Sequence, residues 1–138
     1  MDKMFEAAFN IKAKAWMRAG EDPRRGAGKR RYLPTEMRKY YEAVYFAFVR
    51  KGLRPIGKTE EYGMEVEFHF IDKRWRDTTN LLKAIEDSGQ PSKWNRAKLQ
   101  GVFMPDLWDD KIFADSHGVR FRGSDSDKVV VKMWKIGE

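Results

Sequence analysis

Alternating apolar and polar residues predict strands near the start, the middle and the end of the chain. The clearest alternation lies in residues 63–71, whose apolar members share one face of a strand and leave a polar face opposite. A looser alternation in residues 4–11 predicts a short first strand, and the valine-rich run 128–136 predicts a last one. Residues 107–113 form a short apolar stretch that two acids interrupt.

Apolar residues that recur at three- and four-residue steps predict two helices. The first covers residues 36–50, with Thr35 as its N-cap. The second follows the central strand, where Asp77, Thr78 or Thr79 can each cap it. Glycine and proline residues follow both helices and end them.

Two stretches of the chain lack a regular period. Residues 12–34 are rich in glycine and arginine and predict a mobile basic loop, whereas residues 88–105 form an irregular, mixed segment. Gly118 and Gly123 predict turns before the last strand. The order strand, helix, strand, helix, strand, strand predicts an α+β fold, in which a single domain has a small mixed β-sheet and two main helices.

The composition narrows the class of protein. With 138 residues the chain is long enough for one domain with its own core and too short for two. The lack of cysteine excludes disulfide scaffolds, zinc–thiolate fingers, iron–sulfur clusters and thiol catalysis. The longest apolar run, residues 43–49, is far shorter than a membrane span, and no signal peptide is visible. We therefore expect a soluble, cytoplasmic protein with no membrane partner.

Charge divides the chain into a basic part and an acidic part. The net charge is +7, and residues 12–58 hold 14 of the 28 Lys and Arg but only 4 of the 21 Asp and Glu. A basic surface attracts polyanions, of which nucleic acid is the commonest. Carboxylates repel phosphate unless a divalent cation lies between them. The alternative is that the acids simply make the second part of the chain more soluble.

Two other kinds of site fit the sequence poorly. The glycines and lysine of residues 26–29 suggest a phosphate-binding loop, but Pro23 occupies its first glycine position and Arg30 follows the lysine. We therefore expect no nucleotide cofactor. His69 and His117 have no second ligand at metal spacing, and we interpret His69, on the polar face of a strand, as structural.

A set of acids is the best candidate for chemistry. Asp77 lies where the central strand and a basic turn run into the second helix, and Asp87 lies almost three helical turns further on. Asp109 and Asp110 have apolar neighbours, so we expect them at the edge of the core, where acids are costly unless they are paired or bind a cation. Mg²⁺ takes carboxylate, water and phosphate oxygens, and can activate water for phosphodiester hydrolysis. The alternative is that these acids are helix caps and surface ion pairs.

Residues 72–84 and 107–112 resemble the RusA family of Holliday junction resolvases. That family has an arginine-rich turn, an Asp-x-Asp-Asn-Leu-x-Lys motif that enters a helix, and a later Asp-Asp pair. The resemblance implies a RusA-like fold and a homodimeric endonuclease that depends on Mg²⁺, with Mn²⁺ as an alternative ion. Such a protein binds four-way DNA junctions and nicks them symmetrically in a bacterial or phage-infected cell.

Position by position, the resemblance implies catalytic roles for Asp77, Lys83 and Asp110. Lys83 is expected to neutralise the scissile phosphate or the charge that develops on it. The implied metal ligands are Asp77, Asp87, Asp109 and Asp110. The implied DNA-binding residues are Arg24, Arg25, Lys29, Arg30, Arg31, Lys73, Arg74, Arg76, Asn80 and Lys83.

Two features depart from the family pattern. The second motif carboxylate is replaced by Thr79, a neutral and weaker ligand, so either metal affinity falls or an acid such as Glu67 or Asp109 substitutes. The gap between Asp87 and Asp109 is long, so we interpret residues 88–105 as an insertion. It either contacts DNA or a second subunit, or is a tolerated surface insertion.

The leading hypothesis is a structure-specific DNA endonuclease that resolves four-way junctions or related branched DNA by Mg²⁺-dependent phosphodiester hydrolysis. One alternative is a branched-DNA-binding module of the same fold that no longer cuts, because Thr79 weakens the metal site. Another is a basic protein-interaction or RNA-binding domain whose acids are only structural.

Overall fold

A computed structural model describes residues 3–15, 20–21, 31–32, 35–95 and 104–136, with only the backbone described for residues 20–21 and 31–32. The described residues form a four-stranded mixed sheet with helices packed on one face, which confirms the predicted α+β class. The strands of this sheet are β1 (Lys3–Phe9), β4 (Glu61–Phe70), β5 (Phe113–Arg122) and β6 (Lys128–Ile136). A separate short pair, β2 (Gly20–Glu21) and β3 (Arg31–Tyr32), lies within the predicted basic loop.

The sheet order is β1-β6-β4-β5, and only its β4–β5 pair is parallel. Parallel neighbours need a long crossover connection, which here contains helix α2 (Thr78–Ser88) and the short helix α3 (Pro91–Trp94). A 3₁₀ turn, Asp110–Ile112, leads directly into β5. Because α2 runs back along the sheet, its N-terminus lies near the end of β4 and its C-terminus near the start of β5.

The core lies between the sheet and two helices, α2 and the longer α1 (Thr35–Arg50). The apolar alternation in β4 is confirmed, because its apolar side chains are fully buried and the polar ones between them are not. The fully buried residues of β4 are Met64, Val66, Phe68 and Phe70. On α1 the buried stripe matches the three- and four-residue recurrence of the sequence.

Two tryptophans form hydrogen bonds with the C-terminal end of α2. The last carbonyl groups of a helix lack intrahelical partners. The indole Nε1 of Trp108 donates to the Glu86 carbonyl at 2.9 Å, and that of Trp94 donates to the Asp87 carbonyl at 3.0 Å. Both tryptophans are buried in the core. The predicted insertion, residues 88–105, is therefore anchored in the core at its start rather than carried wholly on the surface, and its residues 96–103 lie outside the described part of the chain.

Gly118 was predicted to form a turn, and this prediction is wrong. It lies in the middle of β5, opposite Val66 of β4. A Cβ atom at this position would come within 2.9 Å of the Phe68 ring, so the glycine makes room for a buried aromatic side chain. The sequence does not mark β5 as a strand, because the face it turns toward α2 carries Ser116, Gly118 and Arg120 instead of large apolar residues.

Among the described residues, no helix has the length and apolar character needed to cross a membrane.

Gly89→Ala should destabilise the fold by about 1–3 kcal/mol, because an added Cβ would overpack a closely filled site. That atom would lie 2.3 Å from the buried Trp108 ring, which its hydrogen bond to the Glu86 carbonyl holds in place. Gly57→Ala is the matched control, since a Cβ there meets nothing within 4 Å. Urea unfolding of both variants checks the prediction, and equal unfolding free energies would contradict it.

Candidate functional site

Asp77 caps the N-terminus of α2. Its backbone is extended (φ −78°, ψ 120°), and its Oδ1 accepts a hydrogen bond from the Thr79 amide at 2.9 Å. The structure thus selects Asp77 among the three caps that the sequence allowed. The side chain is exposed, and its other oxygen, Oδ2, has no hydrogen-bond partner among the described residues. Asp77 can therefore stabilise the helix and still offer one oxygen to a ligand.

The basic turn that precedes Asp77 is organised by Asp72. The Arg76 guanidinium donates two hydrogen bonds to the Asp72 carboxylate, at 2.7 and 3.0 Å, and the Arg74 amide donates a third at 3.1 Å. Lys12 approaches the same carboxylate at 3.4 Å. These partners, with Arg76 first, hold the pKa of Asp72 well below its usual range.

Arg76 is mostly buried, although the resemblance implied that it binds DNA. Its side chain is 15% exposed and lies 4.0 Å from the centre of the Phe70 ring. The bidentate contact with Asp72 makes it a positioning residue that holds the shape of the turn. Its neighbours Lys73 and Arg74 are exposed.

Beside this turn lies a surface formed by Lys73, Trp75, Arg120, Phe121 and Arg122, which we call the cation–aromatic surface. Trp75 is 67% exposed, and the guanidinium of Arg120 stacks over its ring at 3.6 Å. The guanidinium of Arg122 lies 5.3 Å from the same ring and donates to the Lys73 carbonyl at 3.2 Å. A cavity of about 490 Å³ opens here between the basic side chains and Phe121.

The cation–aromatic surface borders Asp77. Arg120 donates a hydrogen bond to the carbonyl of Arg76, the residue directly before Asp77. Phe121 is held in place by stacking on His69, with ring centroids 4.5 Å apart and planes at 9°. Sequence reasoning missed Arg120 and Arg122, because β5 was not predicted as a strand. The run Arg-Phe-Arg at 120–122 was the available signal.

A second group of charges lies at the other end of α2, where Lys93 bridges two of the predicted metal ligands. Its Nζ lies 3.0 Å from Asp110 Oδ2 and 3.4 Å from Asp87 Oδ1. Asp87 is only 8% exposed, so this lysine offsets a charge that burial would penalise. Burial alone would lower the pKa of Lys93, but Asp110 and Asp87 outweigh it and raise the pKa.

Glu86 and Asp109 flank this group. Burial raises the pKa of Glu86, which accepts a hydrogen bond from Ser116 Oγ at 2.6 Å. The carboxylates of Asp87 and Asp110 raise it further. Asp109 accepts from the Lys111 amide at 3.0 Å, and this hydrogen bond lowers its pKa. Asp109 and Asp110 lie at the edge of the core, as predicted, next to two buried side chains.

The structure divides the predicted metal ligands into two places. Asp77 and Asp87 are ten residues apart at opposite ends of α2, a distance of about 15 Å along the helix axis. Asp110 lies near Asp87, because Lys93 forms an ion pair with each of the two carboxylates. Within the described ranges, no three or more Asp, Glu and His side chains are grouped so that they could hold a metal ion. The predicted set Asp77, Asp87, Asp109 and Asp110 thus does not form one site within a single chain, because the helix separates its members.

The remaining predicted DNA-binding residues are only partly described. Lys83 is exposed on α2 and Asn80 is half-buried near its start. Arg31 lies in β3, where only the backbone is described. Arg24, Arg25, Lys29 and Arg30 lie outside the described residues.

No protein-family model matches the chain, and no curated protein sequence matches it. The resemblance to the RusA family therefore depends on the motif residues alone.

Asp72→Asn should lower the stability of the fold in a pH-dependent way. The pKa of Asp72 is depressed in the folded state, so its stabilisation is complete above about pH 4 and is lost as the pH falls through the lowered value. We expect the wild type and the variant to differ in urea midpoint at pH 7 and to converge in strong acid. Asp125→Asn, which removes an exposed carboxylate without a described partner, is the control and should unfold like the wild type at pH 7.

Proposed function

We propose that this protein is a RusA-like, structure-specific DNA endonuclease that acts on four-way junctions or related branched DNA. The observation that carries the proposal is the cation–aromatic surface next to the exposed carboxylate of Asp77. The proposal includes a homodimer, because symmetric nicking of a junction requires two copies of the site. It also places the protein in the cytoplasm of a bacterial or phage-infected cell, where such DNA occurs.

The first support is the fit of the surface to DNA in which base stacking is interrupted. Lys73, Arg120 and Arg122 offer positive charge to the phosphate backbone, which dominates the affinity of DNA-binding proteins. Trp75 offers a largely exposed ring on which an unstacked base can lie. Bases become available for such stacking at the branch point of a junction, where the continuous base stacking of the duplex is interrupted.

The second support is the position of Asp77. Mg²⁺ is usually bound through one or two carboxylates together with substrate phosphates, rather than in a closed cage of protein ligands. Asp77 fits this role, since it is exposed, has Oδ2 available and lies beside the surface that would grip a phosphate. When bound, such an ion supplies an activated water and neutralises charge on the phosphodiester.

A second candidate function is a module that binds branched DNA without cutting it. It is favoured by the distance between Asp77 and the pair Asp87 and Asp110, which keeps these two predicted metal ligands away from Asp77. Thr79, in place of the second motif carboxylate, points in the same direction. The two functions share the DNA surface and differ only in whether cleavage occurs.

Asp77→Asn should abolish cleavage and leave DNA binding intact. Asn caps helices about as well as Asp, so the fold is preserved, whereas the negative charge is lost. We expect the rate of cutting a labelled synthetic four-way junction in Mg²⁺ or Mn²⁺ to fall by about a hundredfold or more. Asp115→Asn, at an exposed position on the outer face of the sheet, is the matched control.

The comparison should use a linear duplex of matched sequence, with EDTA as the metal-free condition. Paired nicks near the crossover that require metal and Asp77 support the endonuclease. Tight junction binding without cutting in either metal supports the non-cleaving module. Equal binding of junction and duplex, with neither cut, would contradict both functions.

Trp75→Ala should weaken junction binding by about 1–3 kcal/mol, the usual contribution of one base stacked on an aromatic ring. Arg120→Gln removes the cation that stacks on Trp75 and should also flatten the dependence of affinity on salt. Lys128→Gln, a change at a cation on the outer sheet face, is the control. Electrophoretic mobility shift titrations at two salt concentrations measure these effects. Unchanged affinities of both variants would show that DNA does not bind this surface.

A further inference from the structure

A groove unrelated to the cation–aromatic surface lies between the end of β1 and helix α1. Its volume is about 590 Å³. On the strand side it is bounded by the chain from Ala8 to Ile11, and on the helix side by one face of α1 and the residue directly after it. None of these residues was singled out by the sequence motifs.

The floor of the groove is apolar. Phe46 and Ala47 of α1 and Ile11 from beyond β1 are partly buried against the core, and Ala43 is exposed beside them. Along α1 the lining extends from Lys39 to Arg50, about 16 Å along the helix axis. This length matches about five residues of an extended peptide, at roughly 3.3 Å per residue.

The rim of the groove is basic. Lys39, Arg50 and Lys51 line it, against one acid, Glu42. The three cations lie at both ends of the apolar stretch, with Glu42 between them in sequence. An occupant that matches this pattern carries apolar side chains for the floor and several carboxylates for the rim.

β1 is an edge strand of the sheet, since it pairs with β6 and with no other strand among the described residues. The unpaired edge of a strand can accept an extended peptide as a further strand. An edge beside a groove suits such a peptide, because the backbone can pair while alternate side chains enter the groove.

We propose that this groove is a docking site for an acidic, apolar peptide segment of a partner protein, bound in extended form along α1. DNA is the weaker match, because Glu42 lies in the groove and would repel a phosphate backbone. The open Trp75 ring that suits a base belongs instead to the cation–aromatic surface. The docking site is independent of whether the protein cuts DNA.

The test uses the full chain and a fluorescein-labelled eight-residue peptide in which Asp alternates with Phe and Leu. Two control peptides replace every Asp with Lys or every apolar residue with Ser. Fluorescence anisotropy should show saturable binding of the acidic peptide and none of the controls. Ala43→Gln places a larger, neutral polar side chain on the apolar floor and Arg50→Glu reverses the rim charge, so each should weaken binding about tenfold or more.

Arg38→Glu is the matched control variant, because Arg38 lies on α1 outside the groove and should leave peptide binding unchanged. Circular dichroism verifies that all variants are folded.

Absence of peptide binding to the wild type, or an equal loss of binding in Arg38→Glu, would overturn the proposal. So would displacement of the peptide by junction DNA together with altered DNA affinity in Ala43→Gln, which would make the groove a nucleic-acid surface. A change of oligomeric state in Ala43→Gln, measured by sedimentation, would assign the groove to contacts between copies and overturn the proposal as well.

Discussion

The parallel pairing of β4 with β5 is the constraint on which the arrangement of charges in this protein depends. Parallel strands cannot be joined by a tight turn, so the chain must cross back over the sheet before the second strand begins. Helix α2 makes that crossing, and its length separates the residues before the helix from the residues after it. Asp77 is consequently at one end of the sheet, and Asp87 and Asp110 are at the other.

Each end of α2 is stabilised by different chemistry. At the N-terminus, the Asp77 carboxylate accepts a hydrogen bond from the Thr79 amide, in a position where negative charge is favoured. The C-terminus has carbonyl groups that accept from two buried indoles, and a buried carboxylate whose charge Lys93 offsets. The acids at the C-terminal end therefore help to stabilise the crossover, whereas Asp77 at the N-terminal end remains exposed to solvent.

The same crossover explains why the cation–aromatic surface lies where it does. β5 ends beside β4, so Arg120 and Arg122 reach back to the turn that leaves β4 and contact Trp75. The turn keeps its shape because Asp72 binds Arg76 through two hydrogen bonds. A carboxylate and its arginine thus fix the backbone beside which the cations of this surface lie. The groove along α1 is far from this constraint and depends only on the packing of α1 beside the edge strand β1.

The sequence by itself determined the elements whose signal is local. The alternation in β4 and the buried stripe of α1 follow from residue spacing alone, whereas the sequence left three residues open as the cap of α2. Only the tertiary structure decided features that depend on which elements become neighbours. It placed Gly118 within a strand, because Phe68 fills the space above it. It brought Lys93 between Asp87 and Asp110 and kept Asp77 apart from them, because a helix fixes distances that a motif in one dimension does not contain.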